Sequence, residues 1–171
     1  TFAILAVISL PWVIIGYSLA FGPELGGVIC SLSDAWLSGV GMDPVKGQTI
    51  PQQVFVLFQM MFAVITPALI IGAFIERIRF SGFLAFTILW TTFIYDPMAH
   101  WVWSPDGWLA RLGAIDFAGG TVIHILAGIS ALVMALLLGK RSGMHTGHAP
   151  HNLPLAVLGA GFLWFGWFGF N

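Results

Sequence analysis

The sequence predicts an all-α polytopic membrane protein with about five transmembrane helices, and three observations carry that prediction. Of its 171 residues, 58% are hydrophobic and 8% charged, with a mean hydropathy of +0.95, whereas about a quarter of the residues of a soluble domain are charged. The charges also leave long gaps, with no Asp, Glu, Lys or Arg between Lys46 and Glu76, between Asp116 and Lys140, or from Ser142 to Asn171. Each gap is long enough for the roughly 20 residues that cross a bilayer as helix. A soluble core of that size would need charged faces to cover it. Third, the basic residues concentrate in loops that an even number of crossings separates.

Five apolar stretches can be drawn, about 2–21, 54–75, 80–103, 117–138 and 153–171. No basic n-region precedes the first, which therefore reads as a span and not a signal peptide. The start at Thr1 and the stop at Asn171 inside an apolar run read as a piece of a longer protein. Glu76-Arg77-Ile78-Arg79 separates the second and third stretches, and Lys140-Arg141 follows the fourth. These two loops hold four of the six Lys and Arg. They share a side, and the positive-inside rule makes loops 76–79 and 139–152 cytoplasmic in a multi-pass cell-membrane protein. The opposite loops then carry Glu24, Asp34, Asp43, Asp106 and Asp116 with only Lys46 and Arg111. Trp12, Trp36, Trp101, Trp103, Trp108 and Tyr95 fall mostly near predicted interfaces, where amphipathic rings are expected in any case.

Net charge is −1 with no basic or acidic tract, which speaks against a nucleic-acid partner. The lone Cys30 excludes a disulfide framework within these residues. His145, His148 and His151 are spaced by three in a Gly- and Pro-containing loop, which matches no zinc pattern, so neither a metal nor a cofactor is expected.

The residues that could carry chemistry lie inside the apolar stretches. His124 is eight residues past Asp116, about 12 Å at helical rise, which sets it near the midplane. An ionisable residue at that depth is costly and by default functional. Gly120, His124 and Gly128 share a helical face, and a glycine face suits close packing better than lipid, so the imidazole should point into protein or a pore. The competing reading is a core histidine satisfied by a neighbouring helix. Asp116 reads as an N-cap, where Asn would serve about as well, and equally as an acid drawing cations to an outer vestibule. In Tyr95-Asp96-Pro97-Met98-Ala99-His100-Trp101-Val102-Trp103 the proline should kink or end the helix. There Trp101 or Trp103 could present a cation-binding face, against the alternative of an interfacial aromatic belt.

Phe58-Gln59-Met60-Met61-Phe62, Gly72-Ala73-Phe74-Ile75-Glu76-Arg77-Ile78-Arg79-Phe80, Ala99-His100-Trp101-Val102-Trp103, Asp116-Phe117-Ala118-Gly119-Gly120-Thr121-Val122-Ile123-His124 and Gly166-Trp167-Phe168-Gly169-Phe170-Asn171, in this order, resemble the successive signature stretches of the ammonium transporter/methylammonium permease/Rhesus family, in its ammonium transporter branch. The resemblance implies an inverted-repeat fold of eleven transmembrane helices, of which this chain would supply the second to the sixth, assembled as a homotrimer with one pore per subunit. It also implies residue roles. Trp103 matches the tryptophan of the outer recruitment site, with Asp116 beside it. Phe62 and Phe170 match the stacked phenylalanine gate, and His124 matches the first of two pore histidines. Depth arithmetic agrees for the gate, with Phe62 about 12 Å in from the outer end of its span and Phe170 about 25 Å from the inner end of its own. Met60 and Met61 stand where relatives often carry small residues.

The expected activity is therefore transport of ammonium or ammonia, with the lipid bilayer and a cytoplasmic regulatory protein as further partners. One alternative is an ammonium sensor, the same membrane domain joined to a signalling module. The other is a membrane-embedded enzyme using His124 with Asp96 or Asp116, against which stands the lack of a nucleophile or metal set beside the histidine.

Overall fold

A computed structural model describes residues 2–45, 47–141 and 151–170. By its internal contacts the chain divides into two compact units, Thr1–Gly139 and Lys140–Asn171.

The first unit is built on four long helices. Helix α1 spans Phe2–Phe21, α2 Gln52–Ala73, α3 residues 80–103, and α5 Gly120–Leu138, while the short α4, Trp108–Arg111, lies in the loop between α3 and α5. Between α1 and α2 a small antiparallel hairpin pairs β1 (Glu24–Leu25) with β2 (Ile29–Cys30), setting Glu24 opposite Cys30. Helices α1, α2 and α5 are each long and apolar enough to cross a membrane, with mean hydropathies of 2.1, 2.4 and 2.4.

Helix α3 differs for a physical reason. It runs without interruption through 24 residues, 80–103, yet carries Thr91, Thr92, Asp96 and His100, all buried. Its neighbours, not lipid, take up this polar face. Hydrogen bonds hold the packing: Trp12 Nε1 donates to the Val56 carbonyl at 3.2 Å, joining α1 to α2, and Trp90 Nε1 donates to Ser130 Oγ at 3.0 Å, joining α3 to α5. Ile4, Ile8, Trp12, Val56, Ala63, Ile70, Phe74, Trp90 and Tyr95 fill the space between. At the opposite end the Arg77 guanidinium donates to the carbonyls of Ala73 and Gly139, the residues that close α2 and follow α5. A cation placed where two helix dipoles end negative ties those ends together.

Of the two expectations for Pro97, that it kinks or that it ends its helix, the ending is corrected by the structure. A π-turn over Thr91–Tyr95 precedes the proline, with the Asp96 N–H bonded to the Thr91 carbonyl five residues back. The inserted residue has already shifted the bonding pattern where Pro97 lacks its N–H, so the helix continues to Trp103. A second π-turn, Trp12–Gly16, lies in α1, there after the proline, Pro11.

The second unit contains α6, Leu153–Phe170, with a mean hydropathy of 1.6 and no charged residue. Asn152 caps it, Oδ1 accepting from the Leu155 N–H at 3.0 Å. Apolar on every side, such a helix suits lipid or a protein interior and not a water-facing surface.

Candidate functional site

The outer end of α3 and the entrance of α5 are built against each other. Ser104 turns extended (φ −74°, ψ 135°) and ends α3, and the Gly107 N–H closes the turn on the Ser104 carbonyl at 3.0 Å. Only glycine fits at 107, since a Cβ there would run into the carbonyls of His100 and Trp101. After α4 the chain returns to Asp116, whose backbone carbonyl accepts from Trp103 Nε1–H at 3.2 Å. The Asp116 carboxylate then takes three of the free N–H groups of α5: Gly120 on Oδ1 at 2.8 Å, Thr121 and Val122 on Oδ2 at 2.9 Å each.

Asp116 therefore caps α5, but not from the N-cap position. The helix begins at Gly120, and the residue before it, Gly119, is left-handed (φ 80°, ψ 22°). A Cβ on Gly119 would collide with the Ile123 side chain, so both conformation and space call for glycine there. The first turn is again a π-turn, Gly120–Ile125, with the N–H groups of Ile123 and His124 both reaching the Gly119 carbonyl at 3.0 Å.

Phe62 stands on α2 beside this junction. Its ring lies 5.8 Å from Trp103 at 63° and 4.8 Å from Phe58 at 90°, so the candidate gate residue and the candidate recruitment residue are in edge-to-face contact. Met60 packs on the core, and Met61 is exposed. Phe170 closes α6 in the second unit, its ring 5.5 Å from Trp167.

Two expectations about His124 change. Residues 116–119 are not helical, so His124 lies four residues into α5, about 6 Å at helical rise from the start of the helix. The glycine face is also not packed: nothing lies within 4 Å of a Cβ on Gly120 or Gly128, and His124 between them is exposed. The face that presents the imidazole is open within this chain.

Of the two candidate tryptophans, Trp101 is committed elsewhere. It donates to the Val28 carbonyl at 2.7 Å and packs edge-on against Trp108, 5.9 Å away, which pins the hairpin to α3. Below it, Cys30 Sγ lies 3.0 Å from His100 Nδ1, both side chains buried. Burial first, then the negative charges of Glu24 and Asp34, push the Cys30 thiol up to about 12, so it stays protonated beside the imidazole. Sequence reasoning gave neither residue a role; the pairing spans 70 positions and left no local signal. Arg111 bridges Glu24 at 2.8 Å and Asp106 at 3.1 Å, which fastens the hairpin to the α3–α5 loop. Among the described residues no group of three His, Cys, Asp or Glu is placed to hold a metal ion. His151 is exposed ahead of α6, and His145 and His148 lie outside the described residues.

The whole chain, residues 1–171, matches the Ammonium Transporter Family. It is 51% identical over 172 residues to an ammonium transporter of Bacillus subtilis (strain 168), covering 100% of this chain and 42% of that protein. The crystal structure of Saccharomyces cerevisiae Mep2 superposes with a TM-score of 0.88 at 40% identity, over 99% of this chain and 40% of that one. A structure described as a Sensor Amt Protein superposes with a TM-score of 0.83 at 36% identity, over 98% and 43%. The chain thus spans about two fifths of the length of the relatives it matches. Its apolar helices and its relatives agree on a multi-pass membrane protein, and the chain belongs to the ammonium transporter family.

Proposed function

We propose that the intact protein moves ammonium across the membrane, binding the cation at Trp103 and Asp116 and passing it, as ammonia, by Phe62 and Phe170 to a pore lined by His124. The observation that carries this reading is the joint at the outer end of α3: the Trp103 indole bonded to Asp116 and edge-on to Phe62. An aromatic face beside an acid is the chemistry that holds a small cation, and the phenylalanine next to it admits no water-stabilised charge. Ammonium and potassium are close in size, so fit alone passes both. An apolar passage selects differently, because ammonium can leave a proton behind and enter neutral, whereas potassium meets the full cost of dehydration.

The open face at Gly120, His124 and Gly128 supports a role for this histidine in lining space and not in filling a core. With the hairpin and Asp116 on the outer side, loops 76–79 and 139–152 lie in the cytoplasm, as the basic residues favour. The protein assembles as a homotrimer, and the cytoplasmic loops are where a regulatory protein would bind. The likeness to a Sensor Amt Protein favours one second reading, in which the same membrane domain reports ammonium to a signalling module. The test is ammonium-driven uptake by the intact protein in liposomes, with Trp103→Leu alongside. Uptake that is weakened in the variant at low ammonium supports the recruitment site, and equal uptake at every concentration removes it.

A further inference from the structure

A buried acid that the proposed pore does not use lies two turns before Trp103 in α3, against α1. Gly16, the last residue of the π-turn in α1, faces Asp96, the residue after the π-turn in α3, and a methyl on Gly16 would sit 3.1 Å from Asp96 Oδ2. Asp96 is 2% exposed and its Oδ1 has no hydrogen-bond partner; the neighbouring Tyr95 hydroxyl, fully buried, faces Thr66. One turn toward the outer loops His100, also fully buried, has its Nδ1 on Cys30 and the backbone of Ala20 within reach. Buried Ser104 follows after another four residues. Spacing by four puts Asp96, His100 and Ser104 on one face of the helix. The stripe ends beneath the hairpin, where Cys30 pairs with Glu24, and Glu24 with Arg111 and Asp106.

An orphaned carboxylate oxygen in a buried polar stripe requires an explanation. A carboxylate there would need a counter-charge. The charged groups nearest along the stripe, Glu24, Asp106 and Arg111, are bound to one another on the outer loops, and the remaining titratable groups facing it, Tyr17 and Tyr95, Cys30 and His100, carry no positive charge while the imidazole is neutral. A metal cation lacks a ligand set, since among the described residues no group of three His, Cys, Asp or Glu is placed to hold one. A neutral acid with water beside it meets both demands, since a buried water bonds two to four polar groups. The two π-turns are further local signs of a site, being common where function has displaced regular bonding.

We propose that Asp96 is a proton-binding site inside the membrane, held as a neutral carboxylic acid beside buried water and reached from the outer surface along His100 and Ser104. It is separate from the His124 face and rests only on the membrane-spanning fold, not on the identity of the substrate. The proton comes from outer water and returns to it, and no other group changes state.

Infrared spectroscopy on the intact protein in lipid at neutral pH tests this. The carbonyl stretch of a protonated carboxylic acid should be present, vanish in Asp96→Asn, and shift down when the outer solution is changed to D2O. Gly16→Ala, which crowds Oδ2 while leaving the acid in place, should move the same band. His100→Leu should slow or abolish the D2O shift. Absence of any band that Asp96→Asn removes or Gly16→Ala moves overturns the neutral acid. A band that D2O leaves untouched overturns the path and leaves Asp96 as a sealed packing group.

Discussion

Trp103 and Asp116, 13 residues apart, are joined by a hydrogen bond from the indole N–H to the Asp116 backbone carbonyl, while the carboxylate of the same aspartate holds the first N–H groups of α5. One residue thus fixes both the aromatic face at the end of α3 and the start of the helix that carries His124. The acid is not free to act as a charge alone, and this changes what its substitutions should do.

Both carboxylate oxygens of Asp116 are engaged, so asparagine is not the equal replacement that a simple N-cap would allow. Its single oxygen can keep Thr121 and Val122 or Gly120, and its amide then points at a donor. Asp116→Asn should cost on the order of 1 kcal/mol, and Asp116→Ala about 2 kcal/mol or more, with three N–H groups left to find water. Melting temperatures of the intact protein rank the two. An Asn variant as stable as the parent would mean that only one oxygen of the pair matters.

Trp103 can be replaced so that ring chemistry and hydrogen bonding separate. Phenylalanine keeps a weaker cation-binding face and loses the bond to Asp116, whereas leucine loses both. The half-saturating ammonium concentration should rise in the order Trp, Phe, Leu, by up to about thirtyfold for a contact worth roughly 2 kcal/mol. Identical values for all three would assign the ring to packing on Phe62.

The glycines at the head of α5 should behave oppositely. Gly119→Ala strains a left-handed backbone and strikes Ile123, which should cost about 1 kcal/mol or more. Gly120→Ala and Gly128→Ala meet nothing within 4 Å, so the helix should accept them. If the open face lines a pore, those two variants should be well folded and slow in transport. Full-speed transport by both would mean that the face is lined by lipid.

Cys30 gives a pH test. Its thiol is raised to about 12, against about 8.5 in an unfolded chain. The folded state therefore keeps a proton that the unfolded state gives up, and the stabilisation is whole below about pH 8.5 and fades as pH climbs toward 12. Cys30→Ser should show a smaller loss of stability over that alkaline window, measured by thermal unfolding at stepped pH. A maleimide should label Cys30 poorly in the folded protein at pH 7 and readily in detergent-denatured protein.

The sequence was most informative where physics is local. Charge-free gaps and loop charges are read along the chain, and both the long apolar helices and the family follow from them and from the ordered motifs. Asp116 was legible as a cap because capping acts within one turn, though Gly119 moved the helix start to Gly120. Pro97 does not end its helix, because a π-turn five residues long precedes it. The Cys30–His100 pair and the approach of Gly16 to Asp96 were hidden, because partners brought together across α1, the hairpin and α3 leave no spacing in the sequence.

The central claim is that His124 lines the path of ammonium. Its most direct test is uptake by the intact protein in liposomes, with His124→Ala beside the parent and with potassium as the competing ion. The account predicts slower ammonium uptake, weaker rejection of potassium, or both, in a variant whose melting temperature is close to that of the parent because the side chain is exposed within this fold. Ammonium uptake and potassium rejection both equal to the parent's would contradict it.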